Sequence, residues 1–196
     1  LADYRDAIQF VHDQTVRCIN LGLTPDEIVE RVRLPRHLAG KPYLREFYGT
    51  VRWSVRNIFT GYLGWFSGDA AALNPLPPAE RAARMASLAV GRSALLDRAK
   101  DALEKSDFQW ALELAGHLLA LKPGMGDALA IRSSCFRALA ARSGNANERN
   151  YFLSQALEAE GKLTLGRPHV TSDLARRIPL SAIFAGMGVR LNPEKS

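Results

Sequence analysis

Residues 48–68, YGTVRWSVRNIFTGYLGWFSG, place apolar and aromatic residues at helical spacing. Apolar side chains that recur every three to four residues form one broad face of a helix, and that face is expected to be buried. Arg45, Arg52 and Arg56 are interleaved with them and predict a cationic edge. The stretch therefore predicts an amphipathic helix over roughly residues 43–64.

Two further helices are predicted before this stretch. Residues 3–21 form an amphipathic pattern that ends at Gly22, a residue that is comfortable at positive φ. Thr24 and Glu27 have the spacing of a capping box, with proline in the first turn, and predict the start of a second helix. The residues predicted to share the buried face of the first helix are Tyr4, Ala7, Ile8, Val11, Thr15, Cys18 and Ile19.

After this stretch, the proline-rich segment 74–78 is the clearest internal boundary. Residues 106–123 are similar to the second half of a tetratricopeptide repeat, with Ala111 at the position of closest helix packing. Ser106 stands where that repeat usually has glycine. A second, degenerate helix pair is predicted over residues 126–142 and 146–162. The fold class that we predict is all-α, with antiparallel helix pairs in a tetratricopeptide-like bundle.

Composition and charge exclude some classes of function. Of the 196 residues 47% are hydrophobic, but no run approaches the roughly 20 apolar residues of a membrane span. The formal net charge is +6, and its positive part is densest between Arg31 and Arg56. No nucleic-acid-binding motif accompanies that charge. We therefore expect no membrane span and no nucleic-acid partner.

The residue types of a metal or nucleophile site are present without the necessary spacing. No two histidines are two or four positions apart, and the H-x-H-x-D-H run of metallo-β-lactamases is absent. Cys18 and Cys135 are far apart and are expected to behave as small hydrophobic residues. No Gly-x-Ser-x-Gly motif occurs. The sequence predicts neither catalytic zinc nor a catalytic nucleophile within these residues.

The motifs of the chain resemble the dimerisation domain of alkyl sulfatases, which are zinc hydrolases of the metallo-β-lactamase superfamily. The resemblance runs from about Tyr4 to Glu160, and YGTVRW followed by YLGWF-S-G carries most of it. The weaker matching segments are Arg5-Asp6 with residues 12–15, residues 22–27 with Leu34-Pro35, and residues 147–153, read as NERNYFL.

This resemblance implies that the chain is a fragment, inactive alone, of a hydrolase that cleaves alkyl sulfates such as detergents. A domain with binuclear zinc is expected upstream. Residues 1–165 would form a helical domain that pairs two subunits as a homodimer. Residues 166–196 would be a linker and the truncated start of a sterol-carrier-like domain, downstream of this one. The compartment stays open, because its signal is expected upstream of Leu1.

The resemblance also suggests site residues. A sulfate ester needs cationic and hydroxyl donors around its oxygens. Tyr48 is predicted as a hydroxyl donor at the rim of the sulfate site, with Arg45 or Arg36 as a sulfate contact. Tyr48 as a core hydroxyl is an equally weighted alternative. The residues predicted at the pairing interface are Phe10, Val51, Val55, Phe59, Tyr62, Trp65 and Phe66.

Two other functions remain open on the sequence alone. A free-standing tetratricopeptide-like adaptor would be a monomer with an open polar groove for a partner peptide, but it leaves residues 48–68 unexplained as a block. Binding of nucleic acid through the patch between Arg31 and Arg56 would give salt-sensitive retention on heparin.

Overall fold

The computed structural model describes residues 1–164 and 172–187, and all the regular structure in them is helical. Leu1–Leu163 form one compact unit, and the described residues from Thr164 onward belong to a second. The predicted all-α class is confirmed for the described residues. The helices are α1 (Ala2–Asn20), α2 (Pro25–Arg31), α3 (Arg36–Ala39), α4 (Val51–Leu63), α5 (Pro78–Leu88), α6 (Arg92–Glu104), α7 (Phe108–Leu121), α8 (Gly126–Arg142), α9 (Ala146–Ala159), α10 (Ser172–Arg177) and α11 (Leu180–Met187).

The first unit contains two hydrophobic cores. Helices α1, α2 and α4 pack on one another, and α5 to α9 form the second packed group. The N-terminal core consists of Val11, Cys18, Ile28, Val29, Val32, Val55 and Phe59. The C-terminal core is larger, and its most buried members include Leu95, Ala99, Ala111, Leu114, Leu118, Ala128, Cys135 and Ala156.

Helix α4 begins later than the sequence predicted. Pro42–Leu44 form a separate 3₁₀ turn, and the helix starts at Val51 rather than near residue 43. The Thr50 hydroxyl accepts the Trp53 N–H at 3.1 Å, and the Glu46 carboxylate accepts the Val51 N–H at 2.7 Å. These two acceptors satisfy N–H groups that have no partner inside the helix. Residues 45–50 are consequently a loop, which we call the 45–50 loop.

The first two helices begin within one residue of the predicted positions, but the exposure of α1 differs from the prediction. The capping box of α2 is present, with the Thr24 N–H donating to Glu27 at 2.8 Å. Gly22 has a φ of +77°, as its place after α1 requires. Tyr4 and Ile8, however, are exposed, although the sequence placed them on the buried face of α1. In the first turns of α1 only Ala7 faces the core closely enough to be buried.

The helix pairs after the proline-rich break follow the prediction. A three-residue turn joins α6 to α7, which makes the two packed helices antiparallel. Ser106 in that turn has a φ of +61°, a conformation in which glycine is unstrained. Ala111 is fully buried in the C-terminal core. The second pair is α8 and α9, and α9 ends at Ala159, three residues before the predicted limit.

An ion pair fastens the end of α9 to α8. Glu160 accepts hydrogen bonds from the Arg137 guanidinium at 2.7 and 2.9 Å and from the Ser133 hydroxyl at 2.5 Å. Lys162 lies 2.8 Å from the same carboxylate. Arg137, followed by Lys162 and Ser133, holds the pKa of Glu160 well below its usual range.

Of residues 166–196, predicted as a linker and the start of a sterol-carrier-like domain, residues 166–171 and 188–196 lie outside the described part of the chain. The helices α10 and α11 are described within it. None of the helices in residues 1–164 and 172–187 combines the length and the apolar character that crossing a membrane requires.

Candidate functional site

The 45–50 loop is held on the beginning of α9. The Ala146 N–H donates to the Phe47 carbonyl at 2.7 Å. Side-chain amides then reach the next two carbonyls, Asn147 to Tyr48 at 2.7 Å and Asn145 to Gly49 at 3.3 Å. Two of the sequence segments that carried the resemblance, far apart along the chain, are thus in direct contact.

Tyr48 presents its side chain to the solvent from this loop, with 72% of the residue exposed. That exposure excludes the alternative of a core hydroxyl. The Arg45 guanidinium lies 5.3 Å from the centre of the Phe47 ring, within the range of a cation–π contact. Arg45 and Tyr48 line the same groove, whereas Arg36, exposed in α3, is not among its lining residues. The structure therefore brings together two of the three predicted sulfate contacts.

The groove that Tyr48 and Arg45 border has a volume of about 660 Å³. Sites for small ligands commonly have volumes of about 300–1,000 Å³ and apolar walls with a few polar groups. Its polar groups include Ser54 and Asn57. The apolar residues of its walls are Ala7, Ile8 and Val11 from α1, Leu34 and Leu44 from the connecting segment, and Val51 and Ile58 from α4.

A hydrogen-bonded triad fastens one wall of this groove to the start of α1. The Tyr43 hydroxyl donates to the Asp3 carboxylate at 2.5 Å, and the Lys41 ammonium lies 3.4 Å from the same group. The hydrogen bonds from Tyr43 and Lys41 lower the pKa of Asp3 from its ordinary value. Asp3 in turn raises the pKa of Lys41 and of Tyr43. The triad fixes Tyr43 beside the groove by polar contacts.

The cationic edge predicted along α4 is largely compensated by α2. Arg52 pairs with Glu30 at 2.9 Å, and Arg56 pairs with Asp26 at 2.6 Å. All four side chains are at least half exposed, so each pair stabilises the fold by only about 0–1 kcal/mol. The pairs set the local charge pattern more than they contribute to stability.

The predicted interface residues fall into three groups by exposure. Tyr62 and Trp65 are exposed, at 60% and 75%, and the Tyr62 hydroxyl shares a 2.9 Å hydrogen bond with the His12 ring. Val55 and Phe59 are buried, at 0% and 3%, because they face α1 and α2 in the N-terminal core. These two side chains support the surface from beneath and do not belong to it. The remaining predicted residues, Phe10, Val51 and Phe66, are partly buried.

The structure adds exposed apolar residues that the sequence did not assign to a surface. We call the group of exposed, largely apolar side chains in the N-terminal part of the chain the N-terminal apolar surface. Its members Tyr4 and Ile8 are one helical turn apart on α1, a signal that the sequence does contain. The members of this surface are Tyr4, Ile8, Tyr43, Phe47, Tyr62, Leu63 and Trp65, whereas the exposed Tyr48 belongs to the rim of the groove.

The described residues offer no cluster of three His, Cys, Asp or Glu side chains that could hold a metal ion. Cys18 and Cys135 are free and buried. Burial raises the pKa of Cys135 to about 11. A high pKa leaves little reactive thiolate, so Cys135 is suited to packing.

Comparisons with known proteins give a consistent result. Residues 24–162 match the model of a family described as alkyl sulfatase dimerisation. The matched range includes residues 48–68, the stretch that the adaptor hypothesis leaves unexplained. A linear primary-alkylsulfatase of a Pseudomonas species is 47% identical over 205 residues, which cover 98% of this chain and 38% of that protein. An (R)-specific secondary-alkylsulfatase, also from Pseudomonas, is 32% identical over 197 residues, which cover all of this chain and 30% of that protein.

A solved structure shows the same arrangement of helices. It is that of the stereoselective inverting sec-alkylsulfatase Pisa1 from a Pseudomonas species, which is 31% identical and superposes with a TM-score of 0.87. The match covers 99% of this chain and 31% of that one. The chain thus spans 30–38% of the length of these relatives.

Proposed function

Because this chain belongs to the alkyl sulfatase dimerisation family, we propose that it pairs two subunits of a larger alkyl sulfatase through the N-terminal apolar surface. The observation that carries this proposal is the concentration of exposed apolar side chains on α1, the 45–50 loop and the end of α4. A concentration of exposed apolar side chains marks an interaction site in soluble proteins.

A second copy of the chain is the partner that fits this surface. In a two-fold pair the same patch of each subunit meets its copy, so one apolar surface is enough for both partners. A stable pair should bury about 1,200 Å² or more in total. The large side chains Tyr62 and Trp65 would supply its anchors, in keeping with the enrichment of such residues at interfaces.

The pairing is tested by placing a charge on the surface. Ile8→Asp puts a carboxylate on the exposed face of α1, where pairing would bury it without a partner. We expect this variant to be monomeric in light scattering at concentrations where the parent protein is dimeric. The matched control is Val90→Asp, which replaces another exposed aliphatic residue, beyond the end of α5. A variant Ile8→Asp that pairs as tightly as the control contradicts the proposal.

The proposed activity of the complete protein is hydrolysis of alkyl sulfates. Two relatives are named as a primary and a secondary alkylsulfatase, and this supports a sulfate ester of an aliphatic alcohol as the substrate class. The zinc pair that the resemblance implies would supply Lewis-acid stabilisation of the ester oxygens. The described residues do not offer ligands for it. We therefore assign the metal to a domain upstream of this chain in the complete protein. The sterol-carrier-like domain predicted to start within residues 166–196 would follow the helical domain.

Within this chain, we assign Tyr48 and Arg45 to the rim of the active-site entrance. A hydroxyl and a guanidinium that border one groove are suited to an anionic sulfate. Replacing Tyr48 with Phe in the complete enzyme should lower turnover of dodecyl sulfate about tenfold or more, since loss of one oxyanion donor commonly costs about a hundredfold. Tyr151→Phe alters an equally exposed tyrosine in α9 and serves as the control. Unchanged turnover of the Tyr48→Phe enzyme would exclude this role.

A further inference from the structure

We infer that Asn145 and Asn147 are positioning residues that fix Tyr48 at the entrance of the active site. The inference rests on the proposed role of Tyr48 and adds the residues that make this role possible. Both asparagines belong to the beginning of α9, which packs in the C-terminal core. Tyr48 precedes α4, which packs in the N-terminal core. The position of Tyr48 against the second core therefore depends on contacts across this junction.

Three consecutive carbonyl groups make those contacts. Phe47, Tyr48 and Gly49 accept hydrogen bonds from the Ala146 N–H, the Asn147 amide and the Asn145 amide, at 2.7, 2.7 and 3.3 Å. Such a row of bonds holds the backbone on both sides of Tyr48, although its side chain is exposed. A fixed backbone restricts where the phenol of Tyr48 can reach.

Asn145 is itself locked in one orientation. It is only 4% exposed, and its side-chain oxygen accepts the Glu148 N–H at 3.0 Å as the cap of α9. Since the oxygen is engaged by the helix, the amide nitrogen must face Gly49. The Ser143 hydroxyl accepts the Asn145 N–H at 3.1 Å and donates to the Glu148 carboxylate at 2.6 Å. A side chain held from both directions can transmit the position of α9 to the loop.

The energetic reason for such a device is the precision that a transition-state contact needs. A misplacement of about 1 Å at a reacting group can cost about a hundredfold in rate. Functional side chains are therefore supported by a second layer of hydrogen bonds. Exposed residues of a loop have no packing to fix them, so the two asparagine amides take over this task for Tyr48.

Aspartate substitutions separate this role from the stability of the helix. In Asn145→Asp the capping acceptor is kept, and aspartate caps helices as well as asparagine does. The carboxylate is also favourable at the positive end of the helix. The donor to Gly49 is lost and replaced by an oxygen that repels the carbonyl. Asn147→Asp has the same effect at Tyr48, and Asn150→Asp changes an exposed asparagine of the same helix as a matched control.

We expect both Asn145→Asp and Asn147→Asp, assayed well below the Tm of each variant, to lower kcat/KM of the complete enzyme for dodecyl sulfate about tenfold or more, mainly through kcat. In an enzyme that already carries Tyr48→Phe, the same substitutions should have less than about a twofold further effect, because positioning matters only while the hydroxyl is present. A merely structural role predicts the opposite pattern, in which the aspartate substitutions reduce activity by the same factor whether or not Tyr48 keeps its hydroxyl.

The outcomes separate the inference from the function on which it rests. If both aspartate variants are fully active while the Tyr48→Phe enzyme is impaired, the positioning role of the asparagines is wrong and the role of Tyr48 stands. An equal loss in Asn150→Asp also overturns the positioning role, since added charge would then be the cause. Full activity of Tyr48→Phe overturns the role of Tyr48, and the inference with it.

Discussion

Trp65 should be a main anchor of the subunit pair, and replacing it with serine should dissociate the pair. The residue follows α4, is 75% exposed, and is supported by an edge-on contact with Phe66, with ring centres 5.8 Å apart. A tryptophan exposes about 150–250 Å². About 110–190 Å² of Trp65 is therefore available for burial by a partner.

The expected magnitude follows from this area. At about 25 cal/mol per Å², burial of that surface corresponds to about 3–5 kcal/mol before the costs of association. After those costs, truncating an interface anchor typically weakens binding by about 2 kcal/mol or more. A two-fold pair loses the contact twice, which gives about 4 kcal/mol. At about 1.4 kcal/mol per tenfold change, the dissociation constant should rise about a thousandfold.

Sedimentation equilibrium over a dilution series measures this change directly. Trp110→Ser is the matched control, because Trp110 is also exposed, at 44%, but belongs to α7 in the C-terminal part of the domain. We expect the control to leave the dissociation constant within a few-fold of the parent value. A Trp65→Ser protein that pairs as tightly as the parent, or a control that dissociates equally, would refute the assignment of the surface.

Three other predictions concern stability and reactivity. Val90 is exposed and has a φ of +66°, a backbone conformation that is strained for valine, so Val90→Gly should raise the free energy of unfolding by about 1 kcal/mol in urea titrations. Ala83→Gly within the helix α5 should lower the free energy of unfolding by about as much. A change of the same sign in both variants would contradict this prediction. The interactions of Glu160 with Arg137 stabilise the fold fully above about pH 4.5 and are lost progressively as the pH falls below that value. Glu160→Gln should therefore make the free energy of unfolding less dependent on pH in the acid range. An unchanged pH dependence would count against the ion pair. Cys135 should resist alkylation in the native protein at about pH 8 and react after unfolding, as mass spectrometry can show; rapid native labelling would contradict its burial.

The fold was largely predictable because its helices carry local signals. The capping box at Thr24 and Glu27 and the turn at Ser106 act through neighbouring residues, so the sequence alone reveals them. The start of α4 was not predictable from periodicity, because apolar residues continue at helical spacing before it. Capping by Thr50 and Glu46 nevertheless makes the helix begin at Val51. Local capping overrode the apolar pattern at this point.

The candidate site was less predictable because it depends on contacts between distant segments. No sequence pattern shows that Asn145 and Asn147 reach Tyr48 and Gly49 from nearly a hundred residues away. Periodicity also cannot distinguish an apolar residue that faces its own core from one that awaits a partner. Ile8 was for this reason predicted as buried and is exposed.

The central claim is that the capacity to pair is built into this helical chain. Its solution mass, measured by light scattering across a wide dilution series, tests the claim most directly. We expect a mass twice the 21.6 kDa of the chain, and we expect it to persist on dilution. A mass of one chain at every concentration would contradict it, provided that circular dichroism shows the helices to be folded.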